Sequence, residues 1–190
     1  MIRLIGTSAN LDKDYSSRKD QYLNGLISLL KYYRINPYII ETVKKTDYLN
    51  ESFIGHSTYS TNKGINELLN LKTFLSNQDF NDEDDVIKVT LRYEVISSYF
   101  LDMVKNDDYE VYCKNSSDIY GANDPNIHSF LISMKYRCWK EFLNNIDTLV
   151  DKDYPIEIMF ANFVKKCRTK YLDKLDILAN PANHRKIYQV

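Results

Sequence analysis

Net charge is the first thing this sequence lacks. Its 25 Lys and Arg balance 26 Asp and Glu to leave −1, so the chain as a whole makes no electrostatic case for binding nucleic acid or an anionic membrane. Paired cysteines are also absent. Cys113, Cys138 and Cys167 are odd in number, scattered and without Cys-x-x-Cys spacing, which argues against a disulfide framework and for free thiols in a reducing compartment, the cytoplasm. No window approaches the roughly 18 apolar residues of a membrane span. The apolar run Ile2 to Ile5 is too short for a secretory h-region and is broken by Arg3, which predicts a chain without a leader. On the same grounds the sequons at Asn50 and Asn115 are read as chance. Gly-x-Ser-x-Gly is missing, which leaves a hydrolase elbow unsupported. The glycine spacing of a Walker loop is missing too. His56, His128 and His184 stand too far apart to show metal-ligand spacing. No repeat or composition break divides the chain, so residues 1–190 are read as a single domain with a tail, 169–190, of mixed pattern.

What is present is an ordinary globular composition, 44% hydrophobic and 27% charged. The sixteen tyrosines fit either an AT-rich coding sequence or stacking against bases and sugars. The most informative stretch is Asp85 to Tyr93. Val86, Ile87, Val89 and Leu91 are apolar, while Lys88, Thr90 and Arg92 share one parity, which reads as a strand. If this strand is central to an α/β sheet, a buried cation needs a partner. A polar set emerging at the strand's carboxyl end would put Thr90, Arg92 and Tyr93 in the crevice where open α/β sheets bind ligands.

Around it the chain reads as alternating elements. Ile2 to Thr7 is a short buried strand ending in a small polar turn. Ser17, with Asp20 after it, is a weak cap for a helix whose apolar face carries Tyr22, Leu23, Leu26, Ile27, Leu30 and Tyr33. Tyr38 to Glu41 is a second strand, and strand–helix–strand is the signature of a parallel sheet. Glu41 closes that strand beside Thr7. Residues 42–62 read as a long loop. Asn62-Lys63-Gly64 opens a helix running to about Leu75, where the glycine lets a phosphate approach backbone amides and the lysine adds charge. Beyond the central strand the pattern predicts a helix over 94–104, a strand over 109–113, a strand over 128–134, a helix over 135–150, and a helix from Ile156 to Cys167 behind Pro155.

The ordered set of Thr7, Arg18, Gln21-Tyr22, Tyr38-Ile39-Ile40-Glu41, Asn62-Lys63-Gly64-x-x-Glu67, Ile87-Lys88-Val89-Thr90-x-Arg92-Tyr93, His128-Ser129-Phe130 and Ile156-Glu157 resembles small GT-A-fold glycosyltransferases. The likeness is to those of large DNA viruses and bacterial polysaccharide clusters, over roughly the first 165 residues. The resemblance implies a mostly parallel α/β sheet flanked by helices and a nucleotide-sugar donor. It also implies a glycan or protein-linked acceptor, no nucleic acid partner, and a place in the cytoplasm, the host's if the chain is viral. It maps base and ribose to Thr7, Ser8 and Glu41, with Arg18 nearby. The donor's neighbourhood maps to Asn62, Lys63 and Gly64, and an acceptor-side or catalytic acid to Glu157.

One departure matters. GT-A enzymes carry Asp-x-Asp at the carboxyl end of a central strand, holding Mn2+ or Mg2+ on the diphosphate. Asp82-Glu83-Asp84 matches the pattern but precedes its strand. Two readings stand. Either Thr90 and Arg92 stand at the metal's position and Lys88 or Arg92 does some of its work on the diphosphate, or the acidic loop folds over the site and Asp82 and Asp84 hold the ion. The base that takes the acceptor proton is Glu157, Asp118 or Asp124. Two other functions fit the same pattern: a non-catalytic interaction protein with this fold, and a nucleotidyltransferase. The basic run Lys165 to Lys170 complements a helix end.

Overall fold

The structure, a computed structural model, describes residues 1–9, 15–55, 62–117, 126–149, 155–179 and 188–190. In chain order its strands are β1 (Ile2–Ser8), β2 (Tyr38–Glu41), β3 (Phe53–Ile54), β4 (Asp85–Thr90), β5 (Glu94–Val95), β6 (Val111–Cys113), β7 (Leu131–Lys135), β8 (Thr169–Tyr171), β9 (Ile177–Ala179) and β10 (Tyr188–Gln189). Its helices are α1 (Tyr15–Tyr33), α2 (Lys63–Ser76), α3 (Tyr99–Asn106), α4 (Tyr136–Asn144) and α5 (Ile156–Val164), with a 3-10 turn at Ile146–Leu149.

The alternating stretch becomes β4, the middle strand of a seven-stranded sheet in the order β3-β2-β1-β4-β7-β6-β8. The pairs β1–β2, β1–β4, β2–β3 and β6–β8 are parallel, while β7 runs antiparallel to both neighbours. The sheet is therefore mostly parallel, with helices on both faces. Because side chains alternate along a strand, each strand feeds two cores. Ile5, Ile40, Val86 and Ile132 face α2, α4 and α5. Leu4, Ile39, Ile87 and Leu131 face α1, α3 and a small second sheet, β10-β9-β5. On the first face Trp139 is fully buried. Its indole N–H donates to the Val86 carbonyl at 2.9 Å, and Phe142 stacks on Phe160 at 4.5 Å between centroids. Truncating such an aromatic would cost roughly 3–5 kcal/mol.

Helix α1 approaches the chain after β4 more closely than a side chain would allow. A Cβ on Gly25 would lie 1.8 Å from the Leu91 carbonyl oxygen and 2.8 Å from that of Tyr93. Glycine is what lets backbone meet backbone there.

The structure revises several sequence expectations. No helix covers 94–104. Instead Glu94 and Val95 pair with Leu178 and Ile177 of β9, and the helix starts at Tyr99. The Ile96 amide donates to the Asp176 carbonyl of the tail at 2.9 Å and the Val95 amide to Ser28 Oγ of α1 at 3.0 Å, and the tail's three strands were not revealed by the pattern. The expected strand over 128–134 divides: residues 128–130 form a turn and β7 begins at Leu131. The 135–150 helix stops at Asn144, with the 3-10 turn after it. Helix α5 ends at Val164 rather than Cys167. Helix α1 begins at Tyr15, before the expected cap Ser17, and of its expected apolar face Ile27 and Leu30 are exposed while Leu29 is buried in their place. The 42–62 loop contains β3.

At the amino end of β4 the acidic run 82–85 is tied down residue by residue. Asp82 pairs with Lys140, Glu83 with Arg137 at 2.7 Å, and Asp85 with Lys135 at 2.9 Å. Asp84, its side chain 3% exposed, holds Arg3 and the chain's amino group, each at 2.9 Å. Burial pulls the Asp84 carboxyl upward, but the hydrogen bonds from the amino group and Arg3 outweigh it and hold it below the usual carboxylate range.

Candidate functional site

At the carboxyl ends of β1, β2 and β4 the fold leaves an open cavity of about 440 Å³, the position where open α/β sheets bind ligands. Each wall comes from a different element. β1 and the residue after it contribute Thr7, Ser8 and Ala9, and the end of β2 contributes Thr42. α1 gives Arg18 and Tyr22, and the first turns of α2 give Asn62, Lys63, Gly64 and Glu67. Beyond β4 stand Thr90, Arg92 and Tyr93. Ser116, the 128–130 turn and the start of α5 (Pro155, Ile156, Glu157) complete it. Two helix amino termini, those of α2 and α5, therefore open onto the cavity and favour negative charge there.

Its floor is a buried ion pair. Lys88 is 1% exposed, points to the α2 face mid-strand rather than out of the strand's end, and meets Glu67 Oε1 at 2.5 Å. This is the partner that a lysine in a central strand requires. Lys88 Nζ also donates to the Ser129 carbonyl at 2.6 Å and Thr90 Oγ1 at 3.1 Å. Thr7 Oγ1 donates to the same Glu67 oxygen at 2.6 Å, and Ser129 Oγ donates to Glu157 Oε1 at 2.7 Å. The two carboxylates lining the cavity are thus joined through Lys88 and Ser129.

The cations are arranged differently. Arg92 follows β4, at the position where the GT-A resemblance implies acids. Its guanidinium lies 5.0 Å from the Tyr93 ring centroid and donates to the Tyr93 hydroxyl at 2.5 Å. Its Nε is buried with no hydrogen-bond partner among the described residues, and no carboxylate pairs with it among them. Lys63 is exposed at the rim and likewise has no ion pair among the described residues. Arg18 Nη1 donates to the Tyr22 hydroxyl at 3.4 Å. Tyr22 in turn exchanges hydrogen bonds with the Ala9 backbone at 2.9 and 3.0 Å. Burial pushes the Tyr22 hydroxyl up, partly offset by those bonds. His128, Phe130 and Tyr93 line the same cavity as an aromatic group, Phe130 lying 4.6 Å from His128 and 4.9 Å from Tyr93 between centroids.

Of the residues singled out in the sequence, Thr7, Ser8, Arg18, Asn62, Lys63, Gly64, Thr90, Arg92 and Glu157 line one cavity. Lys88 sits beneath it. Glu41 lies behind the wall rather than in it. It is fully buried, accepting from Ser8 Oγ at 2.6 Å and the Val43 amide at 2.9 Å. Asn62 caps α2: its Oδ1 accepts from the Gly64 and Ile65 amides at 2.9 and 3.3 Å. Those amides are therefore engaged, and the space a Gly64 side chain would fill holds Ile156, 2.9 Å from an ideal Cβ. Asp82 and Asp84 are at the other end of β4. Asp118, Asp124, His56 and His184 lie outside the described residues. Glu67 was not given a role in the sequence reading. The signal for it was Lys88 itself, since a lysine in a central strand demands a nearby acid.

A divalent ion does not fit the donors that are described. Among the described residues no three His, Cys, Asp or Glu side chains come together. Glu67 already carries a lysine and a threonine, and Glu157 a serine. Among them, too, no helix is long and apolar enough to cross a membrane.

No protein-family model matches the chain, and no curated protein matches it by sequence. Solved structures do. The apo form of glycosyltransferase GlyE of Streptococcus pneumoniae TIGR4 superposes with a TM-score of 0.59 at 11% identity, over 91% of this chain and 46% of that one. Mouse xyloside xylosyltransferase 1, apo form, gives 0.54 at 8% identity, over 91% and 86%. The 2-C-methyl-D-erythritol 4-phosphate cytidylyltransferase of Francisella tularensis gives 0.54 at 11% identity, over 86% and 87%. The chain spans about half the length of GlyE. At these identities the likeness is one of fold: a mostly parallel sheet flanked by helices, of the GT-A nucleotide-diphospho-sugar transferase type.

Proposed function

We propose that this protein is a glycosyltransferase that moves a sugar from a nucleotide-sugar donor to a glycan or protein-linked acceptor hydroxyl. The observation that carries the reading is Arg92. It is a guanidinium with a buried, unpartnered Nε, in a cavity at the carboxyl edge of a GT-A-like sheet. A diphosphate supplies what such a group lacks, binding it through charge-assisted and bidentate bonds. Lys63 at the rim and the amino ends of α2 and α5 add to the same field.

In this reading Thr7, Ser8 and Arg18 receive the nucleoside, with Glu41 bracing Ser8 from behind. Asn62, Lys63 and Gly64 shape the entry beside the diphosphate. Lys88 and Thr90 hold the floor. The acceptor oxygen attacks the anomeric carbon as the bond from that carbon to the diphosphate oxygen breaks, and the electron pair leaves with the diphosphate. Arg92 stabilises that developing charge, and Glu157 takes the acceptor proton. The charge of the leaving group is assigned to Arg92 and Lys63 rather than to Mn2+ or Mg2+, because the described donors do not form an oxygen cage. The free thiols Cys113, Cys138 and Cys167 support work in a reducing compartment, the cytoplasm.

A second reading is a nucleotidyltransferase. It rests on the likeness to a cytidylyltransferase, of which this chain covers 87%, as it covers 86% of the xylosyltransferase. Thermal unfolding with nucleoside diphosphates, triphosphates and nucleotide sugars, each with EDTA and with manganese, separates the readings. At a hundred times its dissociation constant a ligand of the folded state adds about 2.7 kcal/mol. The transferase reading expects a shift for one nucleoside diphosphate and its sugar conjugate that persists in EDTA. A preference for a triphosphate moves the assignment to the second reading. No shift with any nucleotide at millimolar concentration sinks both and leaves a non-catalytic interaction protein.

A further inference from the structure

Among the described residues lining the cavity, Glu67 is the carboxylate with one oxygen held by both a buried lysine and a buried threonine. Oε1 takes both Lys88 Nζ at 2.5 Å and Thr7 Oγ1 at 2.6 Å. Oε2 has no protein partner among the described residues, and it is not a buried orphan. The residue lines the cavity with its side chain 19% exposed. One edge of the carboxylate is therefore clamped and the other faces the space a ligand would occupy. The pair with Lys88 is neutral overall, so Glu67 does not oppose an anion held by Arg92 and Lys63 nearby. A carboxylate oxygen only accepts hydrogen bonds, so its natural partner is a hydroxyl donor. Glu67 is thus suited to a sugar ring and not to a phosphate.

Resting on the glycosyltransferase reading, we propose that Glu67 is the residue that recognises the transferred sugar, its Oε2 accepting a hydrogen bond from a ring hydroxyl. Lys88 is the positioning residue that aims it. Through the Ser129 carbonyl at 2.6 Å and Ser129 Oγ on Glu157 at 2.7 Å, the same lysine sets the spacing between the sugar-reading acid and the acid on the acceptor side. A sugar whose hydroxyl points away from Glu67 leaves that oxygen unpaired, and buried recognition sites reject such ligands strongly.

The test is calorimetric titration of wild type, Glu67→Gln and the charge-neutral double variant Glu67→Gln/Lys88→Met. The probes are UDP and GDP and their glucose, galactose and mannose conjugates. In wild type one conjugate binds more tightly than its parent diphosphate and than its epimers. In Glu67→Gln the diphosphate affinity stays within about twofold, while the sugar's increment falls by about tenfold or more, the scale of a hydrogen bond to a charged group. Discrimination between epimers shrinks with it. The double variant, which leaves no lone buried lysine, repeats the result if the single variant folds poorly. Equal weakening of diphosphate and conjugate in both variants overturns the proposal, since a merely structural residue would move the two together. A wild type that binds a diphosphate but gains nothing from any sugar also overturns it while sparing a nucleotide site. A wild type that binds no nucleotide overturns both this proposal and the function beneath it.

Discussion

The two ends of β4 carry charge to opposite purposes. At its amino end Asp82, Glu83, Asp84 and Asp85 each have a basic partner drawn from β1, β7 or α4. At its carboxyl end Arg92 stands without an acid and Lys63 without an ion pair among the described residues, and one pair, Lys88–Glu67, is closed beneath them. The first arrangement is complete in itself. In the proposed reading the second is completed by a diphosphate. An acidic cluster therefore says little until its partners are known: the literal Asp-x-Asp of this chain is spent on the fold, and the acids that line the cavity, Glu67 and Glu157, come from α2 and α5.

Substitutions can break this contrast. Lys88→Met has the largest expected effect on stability. It leaves Glu67 buried without its cation, at a cost of about 3 kcal/mol, the low end for a buried pair because Glu67 retains some exposure. Denaturant unfolding measures it, and Glu67→Gln in the same chain should recover part of the loss. If Lys88→Met unfolds like wild type, the floor is not a closed pair. Arg92→Ala comes next and acts on the other quantity. It should weaken nucleoside diphosphate binding by about 1.5–3 kcal/mol while changing the unfolding midpoint little. A large drop in stability with unchanged binding would place Arg92 with the structural charges.

Gly25→Ala pushes a methyl into the Leu91 carbonyl and should cost about 1–3 kcal/mol, with nucleotide affinity falling too because the Arg92 turn must move. Asp84→Asn sharpens the comparison through pH. The folded carboxyl is held below its ordinary value, so its contribution is full above the unfolded pKa of about 3.9 and is lost as pH falls through the lower folded value. The variant should be about 1–3 kcal/mol less stable at pH 7, and the gap to wild type should close on acidification. A gap constant from pH 7 to pH 2 would contradict the assignment. The smallest effect is that of Arg137→Ala. The guanidinium is 39% exposed between Glu83 and Glu110, so the loss should be at most about 1 kcal/mol and should shrink in high salt.

Much of the first half of the fold is legible in local pattern. β1, α1, β2, α2 and β4 show period two or 3.6 within single windows, and the ordered motifs on them converge on one cavity. What escaped was non-local. Glu94-Val95 is a strand because Ile177 and Leu178 come back to it across some eighty residues of chain, which no window contains. The His128–Phe130 turn looks extended in sequence because its aromatic residues suit a strand, yet it folds as a corner held by Lys88 and Thr90. Glu67 was hidden in an ordinary helix start. Glu41 was legible as the end of a strand, but its burial depended on Ser8 and Val43 turning inward.

The contact at Gly25 has a mechanical consequence. Helix α1 carries Arg18 and Tyr22 on one wall of the cavity, and the turn it rests on carries Arg92 and Tyr93 on another. With backbone set against backbone there is no side chain between them to flex or change rotamer. The two walls are therefore geared: a ligand that draws Arg92 inward must carry the helix with it. In the proposed reading, a diphosphate bound at Arg92 should slow amide exchange along α1 even without a nucleoside at Arg18 and Tyr22.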